Sequence, residues 1–398
     1  MDKFIDIVGM SKLANERSKI NPNVINATTG VLKNESGQLQ VYKTIDNILK
    51  SIDVNELYDY PAIDGGDAFK AAVMSWVFKG YESLIKDTFS YGVVATPGST
   101  AAIFCALKNS GKNGDKVLNS NICWANYRNI ITDCGLVIKD YVLFDSDRFN
   151  LKGFINTANE IIKTQKNLIV LINDPCHNPT SYSLSREEWL KLIEYFNSLK
   201  EKGIEISLIY DIAYIDYAYD KYEDTREILK LIVNFDTHVT NYVCFSGSKA
   251  FSVYGLRLGA LIILSKQDAS GIAHDIKAIA RSTWSMAPSV GERVLISLMN
   301  DKKIHDEFIT CLNDARVMLL NRKNIFLKEA KECNLVHYPV SNGFFVSIPC
   351  GNSSEVREKL LNDDIHVVPD NGFIRVAISN IPTKQIYGLA RKIWEALK

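Results

Sequence analysis

Short apolar runs rich in β-branched residues alternate with segments of helical spacing through the middle of this 398-residue chain, and no other feature constrains its fold as much. Val117 to Asn119, Leu168 to Asn173, Ile206 to Tyr210, Val239 to Phe245 and Ala260 to Leu264 read as strands that are apolar on both faces. Ser185 to Lys202 and Asp224 to Val233 read as helices between them. Strands without a polar face must be covered on both sides, which crossover helices accomplish. The pattern therefore predicts an α/β fold, with a mostly parallel sheet and right-handed connections in a large domain over residues 45–285.

From about Pro288 the texture changes. A long helix-prone segment runs to Cys333, followed by a turn at Ser341 to Gly343, a strand over Phe344 to Ile348, a helix near Ser354 to Leu361 and a strand over Ile374 to Ser379. This is an α+β pattern, and it predicts a smaller domain over residues 286–398. Residues 1–44 have weak periodicity and many turn formers, and are expected to form an N-terminal arm and part of that small domain.

Charge excludes some partners. Lysine plus arginine equals aspartate plus glutamate, 46 against 46, so no bulk field favours nucleic acid or an anionic membrane. The first residues carry acidic groups and lack a long apolar core, and no later run approaches the roughly 20 apolar residues that span a bilayer. A cytoplasmic protein is the expectation. The eight cysteines never form a CxxC pair, and reduced core thiols are expected rather than a disulfide framework or a metal site.

The polar residues that stand out follow predicted strands, where open parallel sheets collect ligands. Lys249 lies in Ser246-Gly247-Ser248-Lys249 with Arg257 eight positions on. A desolvated lysine amine condenses with aldehydes, and arginine grips phosphate as a fork. A surface lysine and an ordinary ion pair are the bland alternative. Asp211 follows Ile206 to Tyr210, where a carboxylate needs a cation or simply caps the next loop. Pro97-Gly98-Ser99-Thr100 opens a helix to Leu107, offering free amides to a phosphate or making an ordinary N-cap. Arg375, inside the apolar run Phe373 to Ile378, calls for an anionic partner.

In this order, and across nearly the whole chain, these segments resemble the class I/II aminotransferases of pyridoxal phosphate fold type I, nearest the aspartate/aromatic group. The resemblance implies that Lys249 holds the cofactor covalently and later moves a proton, that Asp211 pairs with the ring nitrogen, and that Asn178 and Tyr214 bond the ring's 3-oxygen. Trp124 would stack on the ring, while Ser99, Thr100, Ser246 and Arg257 would cradle the phosphate. Tyr60 would reach the phosphate from a second subunit, which implies a homodimer with shared sites. Arg375 would grip the substrate's α-carboxylate, Gly30 would border it, and Arg281 would bind a distal carboxylate from the partner subunit.

Three departures bear on this expectation. Ser181 stands where the family usually has glycine after Asn178-Pro179-Thr180, so that turn is expected to take another conformation. Asn121-Ile122 lacks the proline common before Trp124, and Met286 replaces an asparagine near Arg281. The implied function is ping-pong amino transfer between an L-amino acid, aspartate/glutamate or aromatic, and a 2-oxo acid. The alternative is a pyridoxal phosphate β-lyase acting on a sulfur amino acid.

Overall fold

The computed structural model describes residues 6–219 and 222–398, and the chain divides into two compact units. The larger comprises Tyr42–Pro175 and Leu184–Ile309; the smaller comprises the described part of Met1–Val41 with Cys176–Ser183 and Thr310–Lys398.

Seven strands form the sheet of the larger unit: β1 (Ser90–Pro97), β2 (Lys116–Ser120), β3 (Val137–Tyr141), β4 (Asn167–Asn173), β5 (Glu205–Asp211), β6 (Val239–Ser246) and β7 (Leu258–Ser265). Their order in space is β1-β7-β6-β5-β4-β2-β3. Only β7 runs antiparallel to its neighbours, so the sheet is mostly parallel as the apolar runs required. Every residue of β7 is buried, and in β4 and β5 only the first residue is not. The register sets Asn173 beside Asp211 and Asp211 beside Cys244, which brings the carboxyl ends of β4, β5 and β6 into line.

A pair of glycines joins β1 to β7. A Cβ on Gly259 would sit 2.5 Å from the Cα of Gly98, so the two backbones meet where no side chain fits. Gly98, at φ +80°, turns the chain directly from β1 into helix Ser99–Ser110, which packs over β1, β5, β6 and β7.

Helix Arg186–Ser198 starts on a capping box between Ser185 and Glu188. The expected helix over Asp224 to Val233 is instead two 3-10 stretches, Tyr222–Arg226 and Leu229–Asn234. Arg226 explains the difference. It is 2% exposed and tied to Asp216 Oδ1 (2.7 Å) and to the carbonyl of Trp76 (3.0 Å), while Thr225, Leu229, Leu231 and Ile232 are buried as well. Fixed partners and burial on most sides override the helical spacing. Beyond Pro288 the helix-prone segment forms two helices, Ser289–Asn300 and Lys302–Cys333.

In the smaller unit, β8 (Phe345–Pro349), β9 (Val368–Asp370) and β10 (Phe373–Ala377) form an antiparallel sheet in the order β8-β10-β9. Helix Ser353–Asn362 packs on β9 and β10. Within the segment expected to form an arm, Ile7–Ser18 is a helix, capped by Asp6, whose carboxylate accepts from Gly9 N at 2.8 Å. It buries only Ser11 and Ala14 while Val8 and Leu13 face outward, so no apolar stripe marks it. Arg322 is fully buried and binds Glu35 and the Ser379 carbonyl, joining the start of this unit to its end. All eight cysteines are free thiols. No described helix is long and apolar enough to cross a membrane.

Candidate active site

Asp211 closes β5 and is 4% exposed. Its Oδ2 accepts from the hydroxyl of Tyr127 at 2.5 Å and its Oδ1 from the amide of Ala213 at 3.0 Å. Burial pushes its carboxyl up to about 6, against the pull of those two donors and of the Lys249 charge. A carboxylate held this way in a desolvated place is best served by a cation. Tyr127 is itself buried in the apolar cluster between the sheet and its helices, with Ile130, Ile209 and Cys244 around it. Trp124, three residues earlier, meets the Tyr127 ring edge to face with centroids 5.3 Å apart.

Lys249 sits on the four-residue helix Gly247–Ala250 that follows β6. Its ammonium lies 4.9 Å from the ring centroid of Tyr254 and 5.6 Å from that of Tyr214, the next aromatic after Asp211 in sequence. Those two ring faces flank the amine.

Three kinds of anion donor lie beside the two glycines. The first turn of helix Ser99–Ser110 has no side-chain cap, so its amides point outward from Ser99 and Thr100. Arg257, in the left-handed region at φ 56°, places its guanidinium against Gly98, where a Cβ would come within 2.4 Å of Nη2. That guanidinium donates to the carbonyls of Tyr254 (3.0 Å) and Pro97 (3.3 Å) and approaches the Ser248 hydroxyl (3.5 Å). Ser246 completes the set, paired across the sheet with Gly259. This cradle fits a phosphate, and Asp211 with Lys249 fits a basic ring nitrogen and an aldehyde carbon.

The smaller unit holds a second arrangement. Arg375 on β10 is 6% exposed and donates to Asn178 Oδ1 (3.1 Å) and to the carbonyl of Thr28 (2.7 Å). Its guanidinium carbon lies 4.5 Å from the centroid of Phe345, so the fork is pinned on one face and at two corners. Asn380 bonds the carbonyl of Asn26 (2.8 Å) and the Thr29 hydroxyl (3.2 Å), fixing the segment that leads into Gly30.

Ser181 corrects one expectation. It keeps the left-handed backbone a glycine would adopt, at φ 58°, and is fully buried. Its hydroxyl accepts from Phe345 N at 2.9 Å, and its carbonyl accepts from Ser341 N at 3.0 Å.

Thus Lys249, Asp211, Tyr214, Ser99, Thr100, Trp124, Ser246 and Arg257 belong to the larger unit, and Gly30, Asn178 and Arg375 to the smaller. Tyr60 and Arg281, also in the larger unit, are exposed, Tyr60 at 87%. Arg281 donates to the hydroxyl of Ser285 at 2.5 Å. The sequence reading missed Tyr127, Ser248, Phe345 and the Thr28 carbonyl. A tyrosine on an apolar helix face reads as core, and a main-chain acceptor has no residue signature.

Residues 22–393 match the family described as aminotransferase class I and II. The chain is 27% identical to the aspartate aminotransferase of Escherichia coli K12 over 333 residues, 82% of this chain and 81% of that one. The crystal structure of an aminotransferase from Anaerococcus prevotii superposes with a TM-score of 0.93 at 27% identity, covering 100% of this chain and 98% of the other. An aromatic-amino-acid aminotransferase from Burkholderia pseudomallei, solved covalently bound to pyridoxal phosphate, shares the fold with a TM-score of 0.83 at 22% identity, covering 100% and 98%.

Proposed function

The chain belongs to the class I and II aminotransferase family, and from that premise we propose how its residues divide the work. It is a pyridoxal phosphate enzyme of fold type I that transfers an amino group between an amino acid and a 2-oxo acid. No feature favours β-elimination over transfer. Bound here, the cofactor supplies an aldehyde for an amine to link to and a ring that draws in the electron pair left when the substrate's Cα–H bond breaks.

The larger unit is the proposed cofactor domain. Ser99, Thr100, Ser246 and Arg257 hold the phosphate, Trp124 covers the ring, and Tyr214 bonds the ring's 3-oxygen. Asp211 keeps a proton on the ring nitrogen, and the Tyr127 hydroxyl keeps the carboxylate aimed at it. Lys249 carries the covalent link at rest. With its covalent link released, the Lys249 amine would serve as the base that moves the substrate's Cα proton.

Arg375 takes the substrate's α-carboxylate bidentately, with Asn178, Thr28 and Phe345 holding the fork flat, and Gly30 borders it. Arg281 and Tyr60 act from a second copy of the chain, and their exposure in the single chain supports that reading. The proposed substrates are glutamate with 2-oxoglutarate as one pair and aspartate or an aromatic amino acid as the other partner, in a cytoplasmic homodimer.

One observation carries the proposal: the Lys249 amine, the Asp211 carboxylate and the Arg257 cradle lie at the ends of β5, β6 and β1 in a single unit. Lys249→Ala is expected to abolish both the visible absorbance band of bound cofactor and amino transfer from glutamate. Survival of both would remove Lys249 from the role.

A further inference from the structure

The helix that carries Lys249 has four residues, too few to hold its own shape, so its position must come from elsewhere. Its start is fixed by β6 and by the Ser246 hydroxyl, which accepts from Ser248 N at 3.3 Å. At its end the Lys249 carbonyl accepts weakly from Ser252 N at 3.3 Å and more closely from the hydroxyl of Tyr217 at 3.0 Å. Tyr217 is 3% exposed and ends the 3-10 turn Ile215–Tyr217, a few residues after Asp211 and Tyr214.

That turn is anchored in its own right. Asp216 and Arg226 form an ion pair at 2.7 Å with both residues 2% exposed. Arg226 also donates to the Trp76 carbonyl and lies over the rings of Trp76 (5.7 Å) and Tyr222 (5.3 Å). The Trp76 ring in turn packs on Phe251 with centroids 4.9 Å apart, and Phe251 is two residues beyond Lys249. The contacts therefore close on themselves, from Tyr217 through the Lys249 main chain to Phe251, Trp76, Arg226, Asp216 and back to Tyr217. A buried ion pair is a poor source of stability compared with apolar packing, but it fixes geometry well. Here it fixes the turn that grips the nucleophile's backbone.

We propose that Tyr217 is a positioning residue for Lys249, holding the amine in register with Asp211 and Tyr214 through the Lys249 carbonyl, with Asp216 and Arg226 as its anchor. The inference rests on Lys249 being the covalent amine. It assigns Tyr217 no contact with substrate or cofactor. Its hydroxyl governs where the lysine side chain starts from, and a displacement on the order of 1 Å at a reacting group is enough to cost up to about a hundredfold in rate.

Tyr217→Phe keeps the ring and removes one oxygen. In the holoenzyme we expect kcat to fall about tenfold with KM changed less than about threefold, consistent with loss of the hydroxyl's hold on the Lys249 carbonyl acting on the chemical step. The pH midpoint of the bound cofactor's visible band should move by about half a unit or more, because the amine's surroundings change. In the cofactor-free protein, the rate at which an acylating reagent modifies Lys249, followed by mass spectrometry of its peptide, should change in step, whereas the melting temperature should hold. A protein with unaltered kcat, band midpoint and Lys249 labelling would overturn the proposal, as would changes wholly accounted for by loss of folded protein.

The double variant Asp216→Asn with Arg226→Gln removes both charges together and leaves Tyr217 in place. It should shift the band midpoint in the same direction, and an unshifted midpoint would overturn the anchoring part. Loss of band and turnover in Lys249→Ala alongside an unaffected Tyr217→Phe would refute the positioning role alone. Retention in Lys249→Ala would refute the underlying reading instead.

Discussion

Arg281 is the residue to which the proposed function gives substrate choice, and its exposure leaves it accessible to an anion. It lies in the last turn of helix Ser270–Thr283, exposed, and donates to the Ser285 hydroxyl. If it meets the distal carboxylate of a substrate, removing its charge strikes dicarboxylates alone. Arg281→Gln should lower kcat/KM for aspartate and glutamate by about ten- to hundredfold, the worth of a charge-assisted pair, while phenylalanine changes by less than about threefold. Parallel losses on all three amino acids would take Arg281 out of the substrate site. Asp211 poses the opposite case, a residue whose partners are settled within its own unit. Tyr127 and the Ala213 amide hold both carboxylate oxygens, so the side chain presents a fixed edge rather than a mobile charge.

Elements divide by whether their signal is local. β4, β5, β6 and β7 were legible because burial on both faces leaves an unbroken apolar run, and the motifs after β4, β5 and β6 were legible because Asn173, Asp211 and Lys249 interrupt or follow such runs. Helix Ile7–Ser18 was not, since it buries a serine and an alanine, and the 3-10 stretches after Tyr222 were not, since a partner far off in sequence sets their shape. Tyr127 was invisible for the same reason: its role exists only once Asp211 is beside it. The Ser181 turn was misread because the sequence gives the strain of a serine at φ 58° but not what offsets it. A left-handed serine costs about 1–2 kcal/mol, and its hydroxyl returns about 1 kcal/mol by satisfying the amide of Phe345, which starts β8. Ser181→Ala keeps the strain and removes the hydroxyl that accepts from the buried Phe345 amide, so it should destabilise the protein by about 1–3 kcal/mol in thermal or denaturant unfolding. Ser181→Gly exchanges one term for the other and should lie close to wild type. An alanine variant as stable as wild type would show that the hydroxyl does not carry the turn.

At the scale of the whole molecule, buried carboxyls tie stability to pH. Burial pushes Asp174 up to about 7 and Glu292 up to about 8, both in the larger unit. Asp174 accepts from Leu184 N (2.7 Å), Trp189 Nε1 (2.9 Å) and the Tyr210 hydroxyl (3.3 Å), which pull against that rise without cancelling it. An acid whose folded value is raised binds its proton more tightly folded than unfolded, so stability falls as pH climbs from the unfolded value toward the folded one. His305 and His366 work the other way, since burial lowers both; their effect is confined to pH below about 6.5, where an unfolded histidine is charged. Asp211, at about 6, has largely released its proton above that point. From about pH 6.5 to about pH 7.5, below the range where unfolded cysteines ionise, Asp174 and Glu292 dominate, and across that interval the melting temperature of the cofactor-free protein should decline. Glu292→Gln, which holds the shape of the neutral acid, should flatten the upper part of that decline and raise the melting temperature at the alkaline end. A melting temperature that rises over this interval, or a glutamine variant that tracks wild type throughout, would mean that Glu292 is ionised and accommodated in the folded chain.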